Sequence, residues 1–306
     1  MLTKLASRAR PPRLYYEAKA NLTKEQLRLL ARAGFWGIYL GIENLSTAVL
    51  HLMDKGTSSL LNIRALKWCV EVGLKPDWAF LCGFPGEEPA EYARLADLLL
   101  SLTHLPAPIG PYQIRVDRYS PYFVAPEAHG LQNVHANVAY QHVYPFPLHD
   151  LDRLAYYFDY EYADGRVPQE YTASLKQAIE DWRAHSSTAR LELRDEGDYL
   201  EIEDTRPAAP RPRVLLEGPA RLAYLALDAG ASSATVCERL SESLGPASPS
   251  RSQIANWLDE WEGDRLVLRE GARYLSLATN PAERIELPVD RFLAQLLGEP
   301  SGAQRP

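Results

Sequence analysis

The stretch Leu81-Cys82-Gly83-Phe84-Pro85-Gly86-Glu87 constrains the fold of this chain more than any other. An apolar strand runs into a turn that needs glycine at two positions and has φ fixed by proline at a third. A helix follows at once, with Pro89 suited to its first turn. A matching corner lies upstream, where Ile38-Tyr39-Leu40-Gly41-Ile42-Glu43-Asn44-Leu45-Ser46 ends in a polar edge and opens into another helix. Two such corners put polar groups and helix N-termini at the carboxyl ends of parallel strands, where α/β proteins keep their ligands.

The neighbouring segments fit the same plan. Leu14 to Ala20 reads as a strand with Glu17 and Lys19 on one face and Tyr16 and Ala18 on the other. Thr23 and Gln26 form a capping box, Leu22 and Leu27 a hydrophobic staple, and Gly34 closes that helix. Strands follow at Phe35 to Ile42, Pro76 to Leu81 and Tyr112 to Tyr119. Between them lie helices near Ser46 to Lys55, Ser59 to Val72, and after Pro89 with Leu95, Leu98, Leu99 and Leu102 inward. The fold class is α/β, about four parallel strands with helices and right-handed crossovers. A barrel and an open doubly wound sheet both satisfy the pattern.

Residues 120–165 are rich in aromatics and broken by proline, which suits either a packed cap over a pocket or core beneath a long loop. The chain to 165 forms the first unit. A helix near 169–184 and a hairpin at 189–194 and 199–203 make a connection over 166–205. TRPAAPRPR at 205–213 reads as a linker. Helices near 219–229, 233–244 and 251–262, then strands at 265–268 and 273–277, give 206–298 a winged-helix-like α+β pattern, with a disordered tail at 299–306. The second and third of these helices are acidic or neutral where phosphate contacts would be wanted, so a peptide-binding or structural module fits better than a DNA binder.

A length of 306 residues suits about two domains. A net charge of −7 argues against a general nucleic-acid or anionic-membrane binder. No apolar run approaches the roughly 20 residues of a membrane helix, and the basic start lacks the apolar core of a secretory signal. Cys69, Cys82 and Cys237 are far apart, as expected of reduced thiols in a cytoplasmic protein, and no two have metal-ligand spacing.

From Tyr16 to Tyr160 the sequence resembles the second half of the radical SAM core. The blocks that carry the likeness are YYEAKANLTKEQLRLLARAG, GIYLGIENLSTAVLHLMDKGT, NIRALKWCVEVGLKP, FLCGFPGEEPAEY, RVDRYSPYF, and VYPFPL with LAYYFDYEY. More narrowly it is similar to the cobalamin-dependent radical SAM proteins that mature ribosomally made peptides by C-methylation. The resemblance implies a partial (βα)6 barrel, with S-adenosylmethionine (SAM) beside a [4Fe–4S] cluster. By position, Glu17, Lys19, Asn21, Glu43 and Ser46 would hold the ribose and methionine parts, and the turn from Gly83 through Pro85 to Gly86 would approach the adenine. For Ser46 a helix cap is an equal alternative. Arg115 and Asp117 would point into the barrel on the substrate side, or pair with each other. No catalytic residue is assigned. The family's Cys-x3-Cys-x2-Cys motif is absent, as is a cobalamin domain. The expectation is therefore a carboxyl-terminal portion, completed by a second polypeptide or by further sequence, that acts on a precursor peptide. The alternatives are a non-catalytic peptide-binding accessory module and an inactive gene remnant.

Overall fold

The structure, a computed structural model, describes residues 1–8 and 12–286. After a short helix α1 (Leu2–Ala6), strand and helix alternate: β1 (Leu14–Ala18), α2 (Lys24–Arg32), β2 (Phe35–Leu40), α3 (Thr47–Leu52), α4 (Ser59–Glu71), β3 (Lys75–Asp77), β4 (Ala79–Cys82), α5 (Pro89–Leu99) and β5 (Ile109–Gln113). Strands β1, β2 and β3 pair in parallel, as do β4 and β5. The Leu81 amide donates to the Glu43 carbonyl (2.6 Å) and stitches the two sheets together. Helix α2 starts on its capping box: Thr23 Oγ1 accepts from the Gln26 amide (3.2 Å), and Gln26 Oε1 accepts from the Thr23 amide (2.8 Å).

Two strands differ from the sequence expectation. The third is cut at Trp78, which is fully buried, donates its indole N–H to the Pro106 carbonyl (3.0 Å) and packs against Trp182. That anchor separates β3, paired to β2, from β4, paired to β5. The fourth strand begins earlier, at Ile109, and leaves the parallel ladder after Ile114. Tyr160 donates to the Ile114 carbonyl (2.8 Å), taking an acceptor that a neighbouring strand would use, and the chain turns away.

The next strand, β6 (Val116–Asp117), belongs to a separate antiparallel sheet. It is followed by α6 (Pro121–Val124), β7 (Leu131–Ala136), α7 (Ala139–Val143), α8 (Leu148–Leu154) and β8 (Tyr157–Tyr162), in the sheet order β6-β8-β7. This unit has its own small core of Val116, Leu131, Ala136, Leu151, Ala155, Phe158 and Tyr162. The aromatic segment is therefore neither a bare loop nor wholly buried: Phe158 is in the core, whereas Tyr119 and Phe146 face outward.

Helices α9 (Pro168–Tyr171) and α10 (Ala173–His185) return the chain to α5, with Leu175, Ile179 and Trp182 buried. Strands β9 (Leu191–Asp195) and β10 (Tyr199–Asp204) form the expected hairpin, and β11 (Arg213–Glu217) adds to it antiparallel. The stretch read as a linker is exposed at Thr205, Pro207 and from Pro210 to Arg213, but Arg206 anchors it. Arg206 is 3% exposed, pairs with Asp204 (2.6 Å), and donates to the carbonyls of Ser101 (2.6 Å) and Arg265 (2.9 Å). A desolvated guanidinium must have its donors filled, and these acceptors come from both sides of the segment. Beyond it lie α11 (Gly218–Leu225), β12 (Ala231–Ser232), α12 (Ser233–Leu244), α13 (Arg251–Gly263), β13 (Val267–Glu270) and β14 (Arg273–Ser276), with strand order β12-β14-β13. One buried cluster runs from Ala20 to Ala278 across this boundary. The tail at 299–306 and the end of the 206–298 unit lie outside the described residues.

Candidate functional site

Strand register assembles a polar face. Tyr15, Gly37 and Lys75 are aligned across β1, β2 and β3, and so are Glu17, Tyr39 and Asp77. A Cβ at Gly37 would sit 2.9 Å from the Tyr15 ring, so any larger residue there would have to displace that ring. The Tyr15 hydroxyl donates to Asp77 (3.0 Å), and burial followed by that carboxylate pushes the phenol up to about 12. The Tyr39 phenol is also raised, by burial first and then by Glu43 and Glu17, and Glu17 is its register partner on β1.

Glu43 stands at the corner past β2 in a left-handed conformation, φ +63°. Its carboxylate accepts from Lys55 Nζ (3.0 Å), with the side chain 20% exposed. Lys19 and Asn21 follow β1 as exposed residues on the same carboxyl edge. Ser46 is not part of this edge. It is buried, its hydroxyl caps α3 by accepting from the Val49 amide (3.3 Å), and it donates to Glu91 Oε2 (2.8 Å). The hydrogen bond to the Val49 amide is that of a helix cap.

The turn after β4 is locked from within. Glu87, 2% exposed, accepts from the Gly83 amide (2.8 Å), the Phe84 amide (2.9 Å), and the hydroxyls of Tyr92 and Tyr171 (2.6 Å each). Tyr162 donates to the Gly83 carbonyl (2.5 Å), and Arg166 to the carbonyls of Phe84 (3.3 Å) and Glu87 (3.0 Å). Gly83, at φ +82°, cannot carry a Cβ, which would lie 2.7 Å from the Tyr162 hydroxyl. Two amides of the turn are thus already committed to Glu87. Pro85 and Gly86 remain at its tip, where they line an open cavity of about 360 Å³ with Leu52, Tyr122 and His129. A larger groove, about 480 Å³, lies between α3, α5 and β13.

Glu87, Tyr162 and Tyr171 hold the turn, and none was singled out from sequence. Only the position of Glu87, four residues after Gly83, hinted at its role. Arg115 and Asp117 pair with each other (2.5 and 3.1 Å) on an exposed surface, with the guanidinium 4.0 Å above the Tyr157 ring. Asp117 is on β6, outside the parallel sheets, and Arg115 precedes that strand, so the geometry matches the mutual-pair alternative.

Among the described residues no group of His, Cys, Asp and Glu could hold a metal ion. Cys69 is fully buried on α4 and its thiol is pushed up by burial. Burial, then Glu87, raises the Cys82 thiol to about 12, and its Sγ donates to the Tyr112 carbonyl (3.4 Å). Cys237 lies on α12, far along the chain. This donor set does not fit a [4Fe–4S] cluster. Among the described residues no helix is long and apolar enough to cross a membrane.

No protein-family profile matches the chain, and no curated protein does. Among solved structures it is similar to TsrM, a radical S-adenosylmethionine methyltransferase from Kitasatospora setae solved with tryptophan substrate and a SAM analogue. The two are 19% identical with a TM-score of 0.43, over 59% of this chain and 39% of that one. It is also similar to OxsB, a cobalamin-dependent SAM radical enzyme. One OxsB structure, with aqua-cobalamin, is 23% identical with a TM-score of 0.31 over 36% of this chain. A second, with aqua-cobalamin and SAM, is 15% identical with a TM-score of 0.31 over 92%. The chain spans only 17% to 39% of the length of these proteins.

Proposed function

We propose that this chain is a carboxyl-terminal portion of a radical SAM (βα) barrel joined to a winged-helix-like module. In this proposal it binds S-adenosylmethionine along the carboxyl edge of β1 and β2 and takes part in cobalamin-linked C-methylation of a ribosomally made precursor peptide. The observation that carries the proposal is that Glu17 and Tyr39 are paired in register and Glu43 follows just past the carboxyl end of the same parallel strands. A sulfonium cation and a hydroxylated ribose both call for carboxylate partners. SAM bound there supplies an activated sulfonium. Glu17 and Glu43 would accept from its hydroxyl groups, and Lys55 would hold Glu43 in place. The locked Gly83–Glu87 turn walls the neighbouring strand end.

No residue of the chain is assigned to cobalamin, and no step is routed through an iron–sulfur cluster, because the three thiols do not fit one. Their isolation favours a second reading, in which the chain is a non-catalytic module that presents a precursor peptide to a separate catalytic polypeptide.

Titration calorimetry of the full chain with SAM and with S-adenosylhomocysteine tests the proposal. Glu43→Gln removes the charge while keeping the shape, and it should weaken binding at least tenfold, about 1.4 kcal/mol. If neither molecule binds at millimolar concentration, or if the variant binds equally well, the SAM site is not here.

A further inference from the structure

The small antiparallel unit carries a run of aromatic rings that meet one after another at its surface. Tyr140 stacks on Tyr144 (6.2 Å, 15°), and Tyr144 on Phe146 (6.1 Å, 7°). The Tyr140 hydroxyl accepts from the Tyr156 amide (2.9 Å), and Tyr156 meets Tyr157 edge-on at 5.2 Å. Arg115 closes the run, 4.0 Å above Tyr157. Tyr144, Phe146, Tyr156 and Tyr157 are 37%, 52%, 49% and 39% exposed. The unit has a core of its own that these rings could have joined, as Phe158 does. A contiguous exposed patch of this kind marks an interaction surface.

The charge around the strip selects the partner. Residues 115–166 hold seven carboxylates (Asp117, Glu127, Asp150, Asp152, Asp159, Glu161 and Asp164) against four arginines (Arg115, Arg118, Arg153 and Arg166) and no lysine, a net charge of −3, and Arg166 is paired with Asp164. Arg115 is neutralised by Asp117. Single-stranded nucleic acid also stacks on aromatic platforms, but it needs a positive groove around them. A cation over a ring face suits this strip, as Arg115 over Tyr157 already illustrates. Side chains on one face of an extended strand recur every ~6.6 Å, close to the 6.1 and 6.2 Å between successive rings.

We infer that this strip docks an extended peptide segment with arginine or lysine at alternate positions, each cation lying over a ring. The docking surface stands on its own rings and charges. Only the onward direction of the bound chain, past Arg115 toward Gln113 and the carboxyl edge, rests on the function proposed above.

The test is fluorescence anisotropy of the full chain with three labelled probes: an alternating Arg-Ser peptide, an alternating Glu-Ser peptide and an oligouridylate. The Arg-Ser peptide should bind, and the double variant Tyr144→Ala/Phe146→Ala should weaken it about tenfold or more. Tyr144→Phe, which keeps the ring, should stay within about twofold of the unaltered protein. Equal affinity for the double variant would overturn the inference, leaving general charge attraction. Equal or tighter binding of the Glu-Ser peptide or the oligouridylate would overturn it as well. Both replaced rings are exposed, and an unchanged urea midpoint confirms that the variant is folded. None of the titrations requires SAM, so failure here and failure of the SAM site are told apart.

Discussion

Glu87 shows what a single residue contributes to this molecule. Its two oxygens fill four donors, two from the turn itself and two from tyrosines on other elements. Glu87→Ala would leave buried donors without an acceptor, and each such loss costs about 1–3 kcal/mol. We expect about 3 kcal/mol less stability in urea denaturation for this variant, and an unchanged midpoint would show that water replaces the carboxylate at no cost. In the sequence, the glycines and proline of the turn announced its shape through their backbone preferences. The tyrosines that hold it did not, because Tyr171 lies 84 residues away from Glu87. Ser46 makes the same point from the other side. A serine hydroxyl can cap a helix or hold a ligand; here it accepts from the Val49 amide as a cap and donates to Glu91, 45 residues away, a contact no local pattern shows.

At the scale of elements, local chemistry was the readable part. The capping box of Thr23 and Gln26 is formed as its spacing indicated. Thr23→Ala should cost about 1 kcal/mol, measured as a lower urea midpoint. No change would mean that solvent satisfies the freed amide equally well. Strand ends were less readable. The apolar run from Pro76 to Leu81 has the composition of one strand, yet Trp78 divides it by packing on Trp182, a residue of α10. Likewise the run from Tyr112 to Tyr119 alternates like one strand, but Tyr160 withdraws the Ile114 carbonyl from the ladder. Both interruptions come from side chains distant in sequence, so no local period could reveal them.

At the scale of the whole molecule, ion pairs fasten the carboxyl-terminal unit to the α/β part. Lys67, fully buried on α4, donates to Asp228 (2.6 Å) and to the Ser276 carbonyl (2.9 Å). Lys24 reaches Glu71 (2.7 Å) and Asp228 (3.4 Å). Burial alone would raise the Asp228 carboxyl, but Lys67, then Lys24 and Trp68, hold it below its usual value. A carboxyl lowered on folding adds stability above its unfolded value, about 3.9, and this is lost as pH falls through the folded value. Glu71, raised by burial, has the opposite sign: its contribution declines as pH rises above the usual glutamate value. Asp228→Asn should therefore cost most near neutrality and less on acidification from about pH 7 to about pH 3. Urea denaturation across that series checks it, and a difference independent of pH would exclude Asp228 as the titrating partner.

The sequence by itself determined the alternation of strand and helix, the helix caps, the glycine turn and the hairpin at 189–203, because each follows from backbone preference or from a period shorter than one element. It also placed Glu17 and Glu43 at strand ends. Only the tertiary structure decided that Arg206 anchors the stretch 205–213, that Glu87 is a hub, and that the rings from Tyr140 to Tyr157 form one exposed strip. Those features rest on contacts between residues far apart in the chain, such as Arg206 with the carbonyls of Ser101 and Arg265. Whether a polar group is buried, and what then satisfies it, is settled only when distant segments come together.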